Sequence, residues 1–216
     1  MRKTLLVALV MVSCQIPLMA WAQQGDRSWV LRGVVIAPDE TSQTIADTGS
    51  RLAVDSSAGA ELAFTYLATR SLAVEAALSV TRLDLSVLGG TADGLDAGTV
   101  WTAPVTLTLQ YRVPLFSDYH PYAGVGVAWG GFFGYELASD VEAVGLVDME
   151  WQGSAGLVAQ AGLDYDSGEK WFVNLDLAYL DLTAEVELLD HGRHLYDEIE
   201  LELDPWVIGL GVGHRF

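Results

Sequence analysis

The chain has 216 residues, 11 basic against 29 acidic, and a formal net charge of −18, yet 51% of it is hydrophobic and its mean hydropathy is +0.29. That acidity excludes nucleic-acid binding, which needs a basic face against phosphate. Strong acidity with strong apolarity is unusual in a soluble globule but suits a β-barrel whose apolar belt faces lipid while carboxylates gather in its lumen, loops and rims.

Met1-Arg2-Lys3 precedes an uncharged run from Leu5 to Met19, followed by Ala20-Trp21-Ala22 and the polar Gln23-Gln24-Gly25-Asp26. A charged start, an apolar middle and a small-x-small site define a secretory signal peptide over residues 1–22, cleaved between Ala22 and Gln23. The run is short and holds Pro17, which argues against an uncleaved membrane helix. Cleavage removes Cys14, the single cysteine, so the mature region 23–216 has no thiol chemistry, disulfide or thiolate metal site. Nine basic residues then face 29 acidic ones over 194 residues. Beyond the signal no uncharged run reaches the ~18 residues of a spanning helix, so a membrane reading rests on alternation.

Eight segments alternate at period two. The first, about Ser28 to Ala37, sets Trp29, Leu31, Gly33 and Val35 against Arg32. The second, Ser57 to Ala68, sets Leu62, Phe64 and Tyr66 against Glu61 and Thr65; a turn at Thr69-Arg70-Ser71 leads to the third, where Leu72, Val74, Ala76, Leu78 and Val80 oppose Glu75 and Ser79. The fourth, Trp101 to Val113, has the clearest pattern, with Val105, Leu107, Leu109 and Tyr111 against Thr106, Thr108, Gln110 and Arg112. The fifth runs about Pro121 to Phe133 with Ala123, Val125, Val127 and Trp129 outward. In the sixth, Trp151 to Tyr165, Leu157, Ala159 and Leu163 oppose Ser154, Gln160 and Asp164. The seventh starts at Trp171 and sets Val173, Leu175, Leu177 and Tyr179 against Asn174 and Asp176. The eighth begins about Ile199 and ends the chain, with Ile208, Leu210, Val212 and the terminal Phe216 on one face.

This is the pattern of an all-β, eight-stranded antiparallel transmembrane barrel of the outer membrane, polar inside and apolar outside. The last strand closes against the first. Long links after segments one, three, five and seven, with short ones between, put both termini on the periplasmic side and four loops outside. Trp101, Trp129, Trp151, Trp171 and Tyr165 fall near segment ends, as an interfacial girdle requires. The alternative, a soluble lipocalin-type barrel, would invert the faces and bury Glu61, Glu75, Gln160 and Asp176 in an apolar core.

Several stretches resemble the OmpW family of outer-membrane proteins. They are Leu62-Ala63-Phe64-Thr65-Tyr66-Leu67-Ala68-Thr69, His120-Pro121-Tyr122-Ala123-Gly124-Val125-Gly126, Gly153-Ser154-Ala155-Gly156 through Gly162-Leu163-Asp164-Tyr165, Trp171-Phe172-Val173-Asn174 with Tyr179-Leu180-Asp181, and Leu203-Asp204-Pro205-Trp206-Val207. They span nearly all of the mature chain in order. Two departures stand out: His214 replaces the aromatic expected before Arg215-Phe216, and the fourth loop is rich in acid and histidine.

The resemblance, which extends to AlkL-type hydrocarbon importers, implies a narrow, largely apolar tunnel entered from outside, with small hydrophobic molecules leaving sideways into the membrane. It implies a Gram-negative outer membrane as the location, with lipids and lipopolysaccharide as surroundings and the insertion machinery as reader of Phe216. Pro104 and Pro205, within predicted strands, each remove a ladder donor and are candidates for a lateral gap; the alternative is that they mark bulges or strand ends. No Ser/His/acid set for catalysis declares itself, and no cofactor is expected. His191 and His194, beside Asp190, Asp197 and Glu198, are weak metal candidates, and no metal site is assigned. Two function classes remain: a passive channel for small apolar solutes, and a structural or receptor barrel without transport. An apolar path through the upper lumen separates them.

Overall fold

In lipid a backbone must satisfy its own polar groups, and a sheet does so without an edge only by closing on itself. The computed structural model describes residues 25–37, 41–42, 51–89, 94–113, 118–137, 148–151, 154–189, 195–202 and 204–216. Its strands in chain order begin with β1 (Arg27–Ala37), β2 (Thr41–Ser42), β3 (Arg51–Val54), β4 (Ser57–Leu67) and β5 (Leu72–Leu88). Next come β6 (Asp96–Thr102), β7 (Val105–Arg112), β8 (Tyr119–Gly130), β9 (Phe132–Leu137) and β10 (Asp148–Trp151). The last are β11 (Ser154–Asp166), β12 (Trp171–Asp181), β13 (Thr183–Leu189), β14 (Leu195–Glu202) and β15 (Trp206–Arg215).

Eight of these close a barrel in the order β4, β1, β15, β12, β11, β8, β7, β5 and back to β4, every pair antiparallel. Closure joins the two chain ends: Leu31 lies opposite Val212 on one side and Leu62 on the other. The Phe216 N–H donates to the Arg27 carbonyl at 2.9 Å.

The faces fall as the alternation requires. Leu31, Leu62, Leu107, Leu157, Leu175 and Leu210 are exposed on the outside, while Arg32, Glu75, Gln110, Gln160, Asn174 and Asp176 are buried in the bore. On β5 the outward row Leu72, Val74, Ala76, Leu78, Val80 covers nine residues, which at ~3.3 Å rise and ~40° tilt is about 23 Å, the height of a bilayer's apolar band. Short links join β4 to β5, β7 to β8 and β11 to β12 at the end that also carries Arg27 and Phe216. That end is the periplasmic one.

The outer half differs from the sequence expectation. The third segment does not stop at Val80. β5 runs on to Leu88 and returns through a short hairpin into β6, so much of the expected long link is strand. Above Val80 the two faces exchange character: Arg82 and Asp84 point outward and are exposed, while Leu83, Leu85 and Val87 are buried. The strand has left lipid, so water now lies outside and the apolar residues turn in. The fourth, fifth, sixth and eighth segments are likewise broken, giving the pairs β6/β7, β8/β9, β10/β11 and β14/β15. The outer pieces sort into two groups. β3, β6 and β9 extend the main sheet, whereas β10, β13, β14 and β2 form a separate four-stranded sheet.

Pro104 and Pro205 stand at these breaks and not inside strands as expected, because a residue without N–H cannot donate to a ladder. Pro104 separates β6 from β7, and Pro205 immediately precedes β15.

Candidate functional site

The bore is built from the inward row of each strand, and cross-strand register decides who meets whom. Arg32 on β1 lies opposite Glu61 on β4, and Thr65 opposite Glu75 on β5. The Arg32 guanidinium donates through Nη1 to Glu61 Oε1 (2.5 Å), through Nε to Asn174 Oδ1 (2.6 Å) and through Nη2 to the Glu75 carboxylate (3.3 and 3.4 Å). Asp176 Oδ1 stands 4.0 Å from Nη1. Thr65 Oγ1 and Gln160 Nε2 also donate to Glu75, and Ser79 Oγ donates to Glu61 (2.6 Å).

From Asn174 the network descends toward the periplasm. Asn174 Nδ2 donates to Asp164 Oδ1 (2.7 Å) and Tyr122 Oη (3.0 Å), and Tyr122 donates to Asp176. Arg112 pairs with Asp164 at 2.6 Å, its guanidinium 4.8 Å from the centre of the Tyr122 ring. Arg215 and His120 both hold Asp166 at the rim. A buried charge is tolerable only when paired and hydrogen-bonded, and here Arg32, Glu75, Asn174 and Asp164 are 2% exposed or less. Together these side chains plug the lower bore.

Glycines make the plug fit. A Cβ on Gly211 would lie 2.8 Å from Arg32 Cγ, and one on Gly213 would lie 2.2 Å from Phe172 Cζ. Large inward residues are therefore seated over strand positions without side chains.

Above the plug the bore changes character. A cavity of about 60 Å³ has Arg32, Glu61, Glu75, Gln160 and Asp176 as its floor and Val34, Ile36, Leu83, Val158, Leu180 and Leu182 among its walls. Below the plug a wider vestibule of about 430 Å³ opens at the periplasmic end between Arg27, Arg112, His120, Asp166 and Arg215. The two share no lining residue.

Both prolines line the upper cavity. The Pro104 carbonyl accepts from the Ser79 N–H (3.1 Å) and the Pro205 carbonyl from the Leu180 N–H (3.1 Å). Neither proline can return the reciprocal bond, so each makes half of a ladder pair. In the closed order of walls the two half-pairs lie on opposite sides of the bore.

Phe216 is exposed on the outer face with its ring 6.2 Å from that of Phe64. His214 sits between Trp29 and Trp171, ring centroids 6.3 and 4.8 Å away, and so fills the place of the expected aromatic within a periplasmic girdle that Tyr119 and Tyr165 continue. Trp101 with Phe133 and Tyr179 with Trp206 form ring contacts at the outer rim. Ala22, Gln23, His191 and His194 lie outside the described residues. Among the described residues no group of three or more His, Cys, Asp or Glu side chains could hold a metal ion.

Alternation places Arg32 on the inner face without marking it as the hub, and the apolar tunnel expected from the family resemblance came without its wall residues. A signal for the walls was present. Val34-Val35-Ile36 interrupts the alternation of β1 with consecutive apolar residues, which is what a strand between lipid and a greasy bore requires.

A closed eight-stranded barrel with a lipid-facing apolar belt, aromatic rims and short links at one end is an outer-membrane protein of a Gram-negative bacterium. The chain belongs to the OmpW family, whose sequence profile matches residues 23–216. It is similar to outer membrane protein W of Escherichia coli (strain K12), 29% identical over 216 residues, covering 99% of this chain and 100% of that protein. It is also 29% identical over 113 residues to outer membrane protein AlkL of Ectopseudomonas oleovorans, 52% of this chain and 46% of the other. The crystal structure of the outer membrane protein OprG from Pseudomonas aeruginosa superposes with a TM-score of 0.81 at 28% identity, covering 89% of this chain and 96% of that one.

Proposed function

We propose that the barrel is a passive channel for small hydrophobic molecules, which enter from outside and leave sideways into the membrane. The observation that carries this reading is the apolar-walled cavity standing on a closed polar floor, with a half-made ladder pair on each side of it. A polar nutrient travelling the axis meets Arg32, Glu61, Glu75 and Asn174 already bonded to one another, and finds no open path to the vestibule. A slim apolar solute has no need of that path. It occupies the upper bore and departs through the wall beside Pro104 or Pro205, where a missing donor leaves one interstrand bond unmade. The resemblance to hydrocarbon-importing members of the family points the same way. In this reading outer-membrane lipids and lipopolysaccharide surround the barrel, and the insertion machinery recognises the strand that ends at Phe216.

The test compares hydrocarbon uptake by cells with and without the protein, and by cells carrying Pro104→Ala, Pro205→Ala or both. Alanine restores an N–H facing the Ser79 or Leu180 carbonyl, so uptake should slow while the folded fraction stays constant. Wild-type uptake equal to that of cells without the protein removes the channel and favours a structural or receptor barrel. Unchanged uptake in all three variants confines the prolines to shaping the strands.

A further inference from the structure

The cavity floor offers more acceptors than donors. Arg32 has five N–H groups, and they face Asn174, Glu61, both oxygens of Glu75 and, at 4.0 Å, Asp176. Each of the three guanidinium nitrogens already donates to a neighbour, and the side chain is 2% exposed. Three carboxylates, Glu61, Glu75 and Asp176, surround this one cation, and each has room for about four hydrogen bonds. Glu75 is filled by Arg32, Thr65 and Gln160 and is sealed at 2% exposure. Among the described residues Glu61 receives Arg32 and Ser79 only. Asp176, 7% exposed, receives Tyr122 on Oδ2, and among the described residues its Oδ1 accepts no hydrogen bond. The two under-supplied carboxylates both line the cavity.

We infer that the cavity selects slim apolar chains ending in a hydrogen-bond donor, an alcohol or an ammonium, and turns away chains ending in a carboxylate. This rests on the channel reading and names the class of solute that the channel holds best. The apolar walls of Val34, Ile36, Val158 and Leu180 take the hydrocarbon body, and the head reaches Glu61 and Asp176. A hydroxyl supplies one donor to these oxygens; an ammonium supplies three and offsets the negative excess. A carboxylate brings no donor, finds Arg32 occupied, and sets like charge against like charge where water is scarce. A plain hydrocarbon fills the walls and leaves the floor as it is.

The experiment uses the barrel in lipid nanodiscs with labelled methyl groups, titrated with octane, 1-octanol, octylammonium and octanoate, and follows the signals of Val34, Ile36 and Val158. Expected is saturable movement of those signals with the alcohol and the ammonium, each binding about tenfold or more tightly than octanoate, as unopposed like charge demands. Glu61→Gln with Asp176→Asn should narrow the gap between octanoate and 1-octanol, with Glu61→Gln alone as the milder variant should the double one fold poorly. Octanoate binding as tightly as 1-octanol to the wild-type barrel overturns the inference and leaves the channel reading standing. Failure of all four probes to move the cavity methyls, octane included, overturns both.

Discussion

Arg32 and Glu61 share one rung of the β1–β4 ladder, and their side chains meet 2.5 Å apart inside the bore. The pair is the top of a plug held by register, since Thr65 and Glu75, and Asn174 and Asp164, are likewise direct cross-strand partners. Replacing the hub should therefore hurt more than replacing a member. Arg32→Met leaves Glu61, Glu75 and Asp176 without their shared cation, and should destabilise the barrel by roughly 3–5 kcal/mol, the cost of breaking a buried pair from one side. Glu61→Gln should cost distinctly less. Urea unfolding in lipid vesicles measures both, and equal losses would show that Arg32 is not the hub.

Neighbouring residues on β7 separate the two environments. Leu107 is exposed on the outer face at mid-strand, whereas Thr106 lines the upper cavity. Leu107→Arg should cost roughly 2–4 kcal/mol near the bilayer midplane. Thr106→Arg should fold with little loss and obstruct the bore, so that hydrocarbon uptake falls while the unfolding midpoint holds. Equal destabilisation would contradict the assignment of faces.

Gly213 and Phe172 should be coupled. Gly213→Ala drives a methyl group into the Phe172 ring and should cost about 1–3 kcal/mol as an overpacked site. In a Phe172→Leu background the same change should be milder, because the ring atoms nearest the new Cβ are gone. A double-mutant cycle on unfolding free energies checks this, and strict additivity would mean that the strands shift apart instead.

Phe216 distinguishes folding from delivery. Its N–H closes the sheet through the main chain, and its exposed ring touches only the outer surface near Phe64. Phe216→Ala should refold in lipid vesicles nearly as well as wild type, yet accumulate in the periplasm of expressing cells. Normal amounts of heat-modifiable barrel in those cells would show that assembly does not depend on the ring.

Alternation carries much of the fold because a barrel wall between lipid and a polar bore has a strict period of two. Segments such as Val105 to Arg112 declare their faces at once. Closure was legible too, from the apolar row ending in Phe216. What escaped is where one face changes solvent. Leu83-Asp84-Leu85-Ser86-Val87 alternates as well as any membrane strand, but period two says only that the faces differ, not which one is wet. The plug was half legible: Arg32, Glu61, Glu75, Asn174 and Asp176 were all assigned inward. Their convergence was not, since it depends on ladder registers that join residues up to 142 positions apart. The prolines were noticed for their missing donor; that both open onto one cavity is a property of the closed sheet alone.

The exchange of faces on β5 acts as a waterline cut into the protein. Outside, Val80 gives way to Arg82 within two residues, and inside Thr81 gives way to Leu83. Sinking the barrel by one such step drags Arg82 into hydrocarbon; raising it lifts Val80 into water. Vertical position is thus fixed to about two residues of strand, roughly 5 Å along the membrane normal once the ~40° tilt is included. A bilayer thicker or thinner than this band cannot be met by sliding, so the adjoining lipids must stretch or compress instead. The barrel therefore imposes its own thickness on the first ring of lipid, the ring into which a solute leaving beside Pro104 or Pro205 would step.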